Sequence, residues 1–201
     1  MHPATAFRET DPARLAALVA ERGLALIIGV EAGRPLAAHA PVLLGKGWLR
    51  FHLSRANPLA AALAASGHAL AVVTGPETYV SPDWYGLADQ VPTWNYLSAE
   101  IEGPVRALDR AGTAALLDAL SAVFEARLAP KPAWTRAKMS PGRFEAMLGG
   151  VAGFEMTVQR LEGVRKLSQN RPAEAQASLA RALEQVGGED ASALARLTGE
   201  G

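Results

Sequence analysis

The chain has 201 residues, 49% of them apolar, and its 20 basic residues balance 20 acidic ones. That is enough apolar material for one compact domain with a real core, without the net positive charge of a strong non-specific nucleic-acid binder; the lack of cysteine rules out disulfides and thiolate metal sites. No apolar run approaches the roughly 20 residues of a membrane helix, and the opening Met-His-Pro-Ala-Thr-Ala-Phe-Arg has no signal-peptide core, so the expected setting is cytoplasmic with no membrane contact.

In chain order, Asp11-Pro12 reads as an N-cap and first turn, and Leu15, Leu18 and Val19 repeat at helical spacing up to Gly23. A helix is therefore expected over 11–22. Leu24 to Val30 is an apolar run suited to a buried strand. Gly33-Arg-Pro turns it into a hairpin partner, Leu36 to Leu44, expected to be interrupted at Pro41. Trp48 to Leu53 alternates as a strand does, and Asn57-Pro58 opens an Ala/Leu helix ending near Gly67. His68 to Thr74 is a strand that Gly75-Pro76 should end, and 76–92, without a period, reads as a long loop. Within 93–108, Tyr96, Ser98, Glu100 and Glu102 alternate with Leu97, Ala99 and Ile101, as in a half-buried strand.

Asp109 to Arg127 is an amphipathic helix with Leu116, Leu117, Leu120, Val123 and Phe124 on one face. The segment 129–143 is Pro-rich and basic. Phe144 to Leu148 reads as a short helix and Val151 to Leu161 as a last strand. Residues 173–186 and 191–197 form a helical hairpin split at Gly187-Gly188. Short strands with helices inserted rather than alternating predict an α+β fold around a small barrel, not a doubly wound sheet.

The chemistry-bearing residues fall into few places. Ser54, Arg55 and Asn57 lie where a strand should end and a helix begin, so backbone N–H groups, a hydroxyl and a planar guanidinium could meet a phosphate. The alternative is that Asn57 merely caps the helix and Arg55 is a surface charge. Tyr79, Trp84, Tyr85, Trp94 and Tyr96 could wall a flat ring, or seal a barrel end or a subunit interface. Thr93 and Asn95 share one strand face and could hydrogen-bond a ring edge. Lys166, Gln169 and Asn170, with Arg165 and Arg171 beside them, offer cations and amides, or simply a polar turn. His39, His52 and His68 fit no catalytic triad or HExxH helix, and a strand histidine more commonly serves structure; no metal site is expected. No GxGxxG or GxxxxGKS turn is present.

Five strings together carry a resemblance: Ala38-His-Ala-Pro41, His52-Leu-Ser-Arg-Ala-Asn-Pro58, Gly75-Pro-Glu-Thr-Tyr-Val-Ser-Pro-Asp-Trp-Tyr85, Val91-Pro-Thr-Trp-Asn-Tyr96 and Lys166-Leu-Ser-Gln-Asn-Arg171. In that order and at that spacing the chain resembles the PaiB-like FMN-binding family, described as negative transcriptional regulators. The resemblance implies an FMN-binding split β-barrel with inserted helices over 1–171, a C-terminal helical extension over 172–201 packed on it or on the partner subunit, and a homodimer with FMN near the interface. It implies Ser54, Arg55 and Asn57 on the phosphate side, and Thr93, Trp94 and Asn95 on the ring side. Lys166, Gln169 and Asn170 would close the site, and His39 and His52 are carried in the cofactor-binding set.

The chain departs from the family at His2, where Tyr is frequent, and at Glu100, where His is common. The expected role is FMN-dependent regulation. The alternatives are a flavin-dependent oxidoreductase using NAD(P)H or a small substrate and, third, a haem-handling barrel with a histidine axial ligand. Direct DNA binding would fall to the basic segments 131–143 and 160–171, since no helix-turn-helix pattern is present.

Overall fold

The computed structural model describes residues 3–199; His2 lies outside them. The chain divides into two compact units. One comprises residues up to Leu18, Val73–Glu100 and the chain from Leu161 on; the other comprises Val19–Val72 and Ile101–Arg160.

The second unit is a barrel. Its strands are β2 (Leu24–Glu31), β3 (Arg34–Gly45), β4 (Trp48–Ser54) and β7 (Val151–Thr157), with the first part of β5 (His68–Val80) and the last part of β6 (Thr93–Ala107). The order β6-β5-β2-β3-β4-β7 closes because β7 also pairs with β6, Val105 opposite Met156. Closure leaves no free edge, and strict inside–outside alternation follows. Along β4, Leu49, Phe51 and Leu53 are buried, and Phe51 stacks on Phe154 with ring centroids 5.4 Å apart. Losing either ring to alanine should cost about 3–5 kcal/mol.

Around the barrel, α2 (Pro58–Ser66) lays Leu59 and Leu63 on β2 at Gly29, where an added Cβ would fall 2.8 Å from Leu59. The long helix α3 (Arg110–Ala126) starts at Asp109, whose side chain accepts from the Gly112 N–H at 2.7 Å. It packs on β3, β4 and β7. The short α4 (Arg143–Leu148) leads into β7.

In the first unit the two-residue β1 (Arg8–Glu9) pairs with β8 (Arg160–Lys166), Arg8 opposite Val164. The helix α1 (Pro12–Arg22) contributes Leu15 and Leu18 to the core. The hairpin of α5 (Ala173–Val186) and α6 (Glu189–Leu197) has its own core: Leu179, Leu183 and Leu194 close on Val80, Tyr85 and Leu167, with Trp84 and Leu97 packed against them.

Three expectations need correction. Gly75-Pro76 does not end β5, which runs on to Val80. Gly75 is where Leu18 and Leu97 pack against the strand, each within 2.9 Å of where a Cβ would stand, so the glycine serves close approach rather than a turn. The expected loop over 76–92 is accordingly shorter and contains a 3-10 turn at Pro82–Tyr85. Pro41 does not interrupt β3: it marks the residue where the strand passes from β2 (Leu24 opposite Pro41) to β4 (Val42 opposite Phe51). The last strand is two strands, because Val158 and Gln159 turn the chain, their N–H groups donating to the carbonyls of Gly47 and Glu102. The charge-rich β8, Arg-Leu-Glu-Gly-Val-Arg-Lys, hid behind its weak apolar pattern.

Candidate functional site

The phosphate-side residues all belong to the barrel unit. Asn57 caps α2: its Oδ1 accepts from the Leu59 N–H at 2.9 Å, and Pro58 takes the first helical position. The Ala60 N–H donates to the Asn57 carbonyl and the Asn57 N–H to the Ser54 carbonyl. The Ser54 hydroxyl accepts from the Ala56 N–H at 3.3 Å. The backbone donors expected to be free at this helix end are therefore engaged, and what remains there is the partial positive charge of the helix.

Arg55 is a clamp. Its Nε donates to the Gly149 carbonyl at 3.1 Å and its Nη2 to the Val151 carbonyl at 3.0 Å, while its own N–H donates to Gly150. Two of its five side-chain N–H groups are so engaged, and the guanidinium is exposed, so the others can face an anion.

His39 is exposed on β3 opposite Leu26. His52 lies on β4 opposite Gly153, the residue against which Thr113 of α3 closes, its Oγ1 2.7 Å from where a Cβ would be. The His52 Nδ1 is buried without a hydrogen-bond partner among the described residues, and burial lowers its pKa. A neutral ring protonated on Nε2 makes that orphan atom a lone pair, the cheaper of the two ways to bury it.

The ring-side residues belong to the other unit. Lys166, at the end of β8, donates from Nζ to the Thr93 hydroxyl at 2.6 Å, and its ammonium stands 5.8 Å from the centre of the Phe7 ring. Burial lowers its pKa. One residue along, Trp94 is 53% exposed and meets Tyr79 edge to face, centroids 6.3 Å apart.

Asn95 behaves differently from its neighbours. It is 0% exposed, and its amide exchanges hydrogen bonds at 3.1 Å with the Ser168 hydroxyl, which lies 2.7 Å from the Tyr85 hydroxyl. Ser168 holds a left-handed φ of 62°, which the buried Tyr85–Ser168–Asn95 network fixes. Asn95 thus reaches the surface only through the loop it anchors. Gln169 likewise serves its own backbone, accepting from the Leu167 N–H and donating to the carbonyls of Ala6 and Arg165. Asn170 is exposed.

Sequence reasoning singled out Tyr85 as a ring wall and passed over Ser168. Tyr85 is buried, with the Arg171 guanidinium 5.3 Å over its ring. A hydroxyl in a polar turn gives no local signal that it is the hub of a buried network. Glu100, where the family commonly has His, is half-buried on β6.

Within the first unit, a partly desolvated ammonium bonded to a hydroxyl and a half-exposed indole are groups that suit a flavin ring. Within the barrel unit, a guanidinium with donors to spare is a group that suits a phosphate. Among the described residues no cluster of His, Asp and Glu could hold a metal ion, and no helix is long and apolar enough to cross a membrane.

The chain is 29% identical over 169 residues to the Bacillus subtilis protein "Protease synthase and sporulation protein PAI 2", covering 82% of this chain and 80% of that one. Among solved structures it is similar to the FAD and heme binding protein from Mycobacterium smegmatis, with a TM-score of 0.58 and 23% identity over 79% of this chain and 73% of that one. It is also similar to the flavocytochrome Anf3 from Azotobacter vinelandii, with a TM-score of 0.61 and 15% identity over 83% and 72%. Both likenesses bear on the fold, a split barrel. The family model described as "Putative FMN-binding domain" matches residues 1–160. The chain belongs to this FMN-binding family, and FMN is its cofactor.

Proposed function

We propose that the chain is an FMN-binding homodimer with a regulatory role, in which Thr93, Trp94 and Lys166 are ring-side residues of the first unit and Arg55 is an anion-binding group of the barrel unit. The observation that carries the flavin assignment is the Lys166–Thr93 pair, a partly buried ammonium held by a hydroxyl; Trp94, the next residue on the strand, is half-exposed. FMN supplies hydride and electron chemistry; the protein supplies position and charge. Lys166 places a cation whose desolvation strengthens its pull on a polar ring edge, Thr93 orients that ammonium, and Trp94 excludes water from one face.

The regulatory part draws on the similarity to the Bacillus subtilis protein named for protease synthesis and sporulation. Direct contact with DNA has little to support it. In the two basic segments Lys131 pairs with Glu125, Arg136 with Asp118 at 3.3 Å, and Arg160 with Glu102 at 2.5 Å. Cations already matched by carboxylates release few counterions on meeting a phosphate backbone. Support for a homodimer comes from Tyr79, Leu87, Val91 and Trp94, large apolar side chains left exposed within one short stretch of chain.

The test is reconstitution with FMN, removal of excess and a visible spectrum, run on the wild type and on Lys166→Met. Flavin bands that persist in the wild type and are lost or shifted in the variant uphold the ring-side assignment; identical spectra move the ring elsewhere. A second reading, a flavin-dependent oxidoreductase, is favoured by the same Lys166 cation, which would stabilise charge on a reduced ring. Bleaching of the bound flavin under anaerobic NADH or NADPH, with turnover, would put it first.

A further inference from the structure

The barrel unit carries a cavity that the flavin residues do not line. It has a volume of about 320 Å³, and its walls are Leu117 and Ser121 of α3, Phe144 and Met147 of α4, and Trp134 and Met139 of the chain between them. That volume falls in the range of small-molecule sites, which are concave and mostly apolar with a few polar groups.

Three observations distinguish it from a gap in packing. The Pro-rich segment that forms its outer wall is tied down rather than loose: Glu125 accepts from the Lys131 ammonium and from the Trp134 N–H at 2.8 Å, and the Lys138 Nζ donates to the Ala133 carbonyl at 2.8 Å. Arg136 crosses the segment, pairing with Asp118 at 3.3 Å while its guanidinium stands 5.0 Å over the Phe144 ring. The apolar groups at the cavity remain partly open to solvent, Trp134 at 38% and Met147 at 56% exposure, so a ligand can enter without unfolding anything.

Charge decides the ligand class. Asp118, the one carboxylate in the lining, is already met by Arg136, so the cavity asks for neither an anion nor a cation. Besides Asp118, the Ser121 hydroxyl and the Trp134 indole are the polar side chains in the lining that can orient a guest, and the two methionines can adapt to its outline. The geometry points to a binding site for a small neutral aromatic molecule carrying one hydroxyl or N–H, in a cavity whose lining includes none of the residues assigned to the flavin.

The test uses 2-naphthol as probe, titrated into the FMN-loaded protein by calorimetry, alongside Met147→Asp and Ser121→Trp. The first variant puts a charge at an exposed position in the wall; the second fills the cavity. Saturable one-to-one binding to the wild type, weakened at least tenfold by both variants with circular dichroism and bound flavin unchanged, is the expected result. No binding up to the solubility limit of the probe would overturn the proposal, as would binding that neither variant alters. A dimer seen by sedimentation that Met147→Asp dissociates, and that does not admit the probe, would assign this face to a second copy of the chain and equally overturn it.

Discussion

Two polar stretches looked alike in the sequence and behave differently in the fold. Ser54–Asn57 turns its groups inward on its own backbone: a cap, a turn and a double clamp to Gly149 and Val151. Thr93–Lys166 leaves an ammonium partly buried with one hydroxyl as its acceptor, and the next strand residue, Trp94, is half-exposed. Motif density alone does not separate scaffold from site. Tracing where each donor goes does, because a group already bonded must break that bond to serve a ligand. The contrast predicts that substitutions in the first stretch act mainly on stability and those in the second mainly on the flavin.

Asn95→Ala, inside the second stretch, should break that rule most strongly. It leaves the buried Ser168 hydroxyl without the amide it pairs with, the Tyr85 contact alone remaining, and should cost about 2–3 kcal/mol of stability by urea unfolding. A loss within error would mean that Asn95 faces the ligand after all.

Lys166→Met should weaken FMN by about 1.5–3 kcal/mol in a fluorescence titration while leaving stability unchanged or raised, since a partly desolvated charge is removed. In the wild type, FMN affinity should fall as pH rises through a lysine pKa that burial holds below the usual 10.5. A flat profile up to that value would count against Lys166.

Arg55→Ala should cost about 1 kcal/mol of stability through the lost carbonyl clamp. It should also weaken FMN, and Arg55→Lys tests whether charge alone suffices. A change in affinity with no change in stability would place Arg55 with the ligand rather than the scaffold.

The smallest effect concerns His52. Because burial lowers its folded pKa, the unfolded chain takes up that proton first. The stability from this group is present above about pH 6.5 and is lost as pH falls from there toward the folded value. His52→Asn should flatten that part of a thermal-unfolding profile; an unaltered slope would assign the titration to another group.

Most elements were legible in the sequence because their signals are local. Asp109 and Asn57 cap helices where a short polar side chain can reach a nearby N–H, and Gly187-Gly188 splits the last hairpin. The strand alternation of β4 follows from one buried face. The local rules failed where the reason was distant. Gly75 looks like a terminator until Leu18 and Leu97 are seen packing against it, and β8 has no apolar pattern of its own.

The candidate site divides in the same way. Amino-acid order alone shows which residue types are available and, through five strings in a fixed order, which family they belong to. Which of them keep donors for a ligand depends on folding, which buries Asn95 against Ser168 and ties Gln169 to Ala6 while leaving Trp94 open. A hydrogen bond between residues 73 apart, or 163 apart, leaves no trace in the residues around either end.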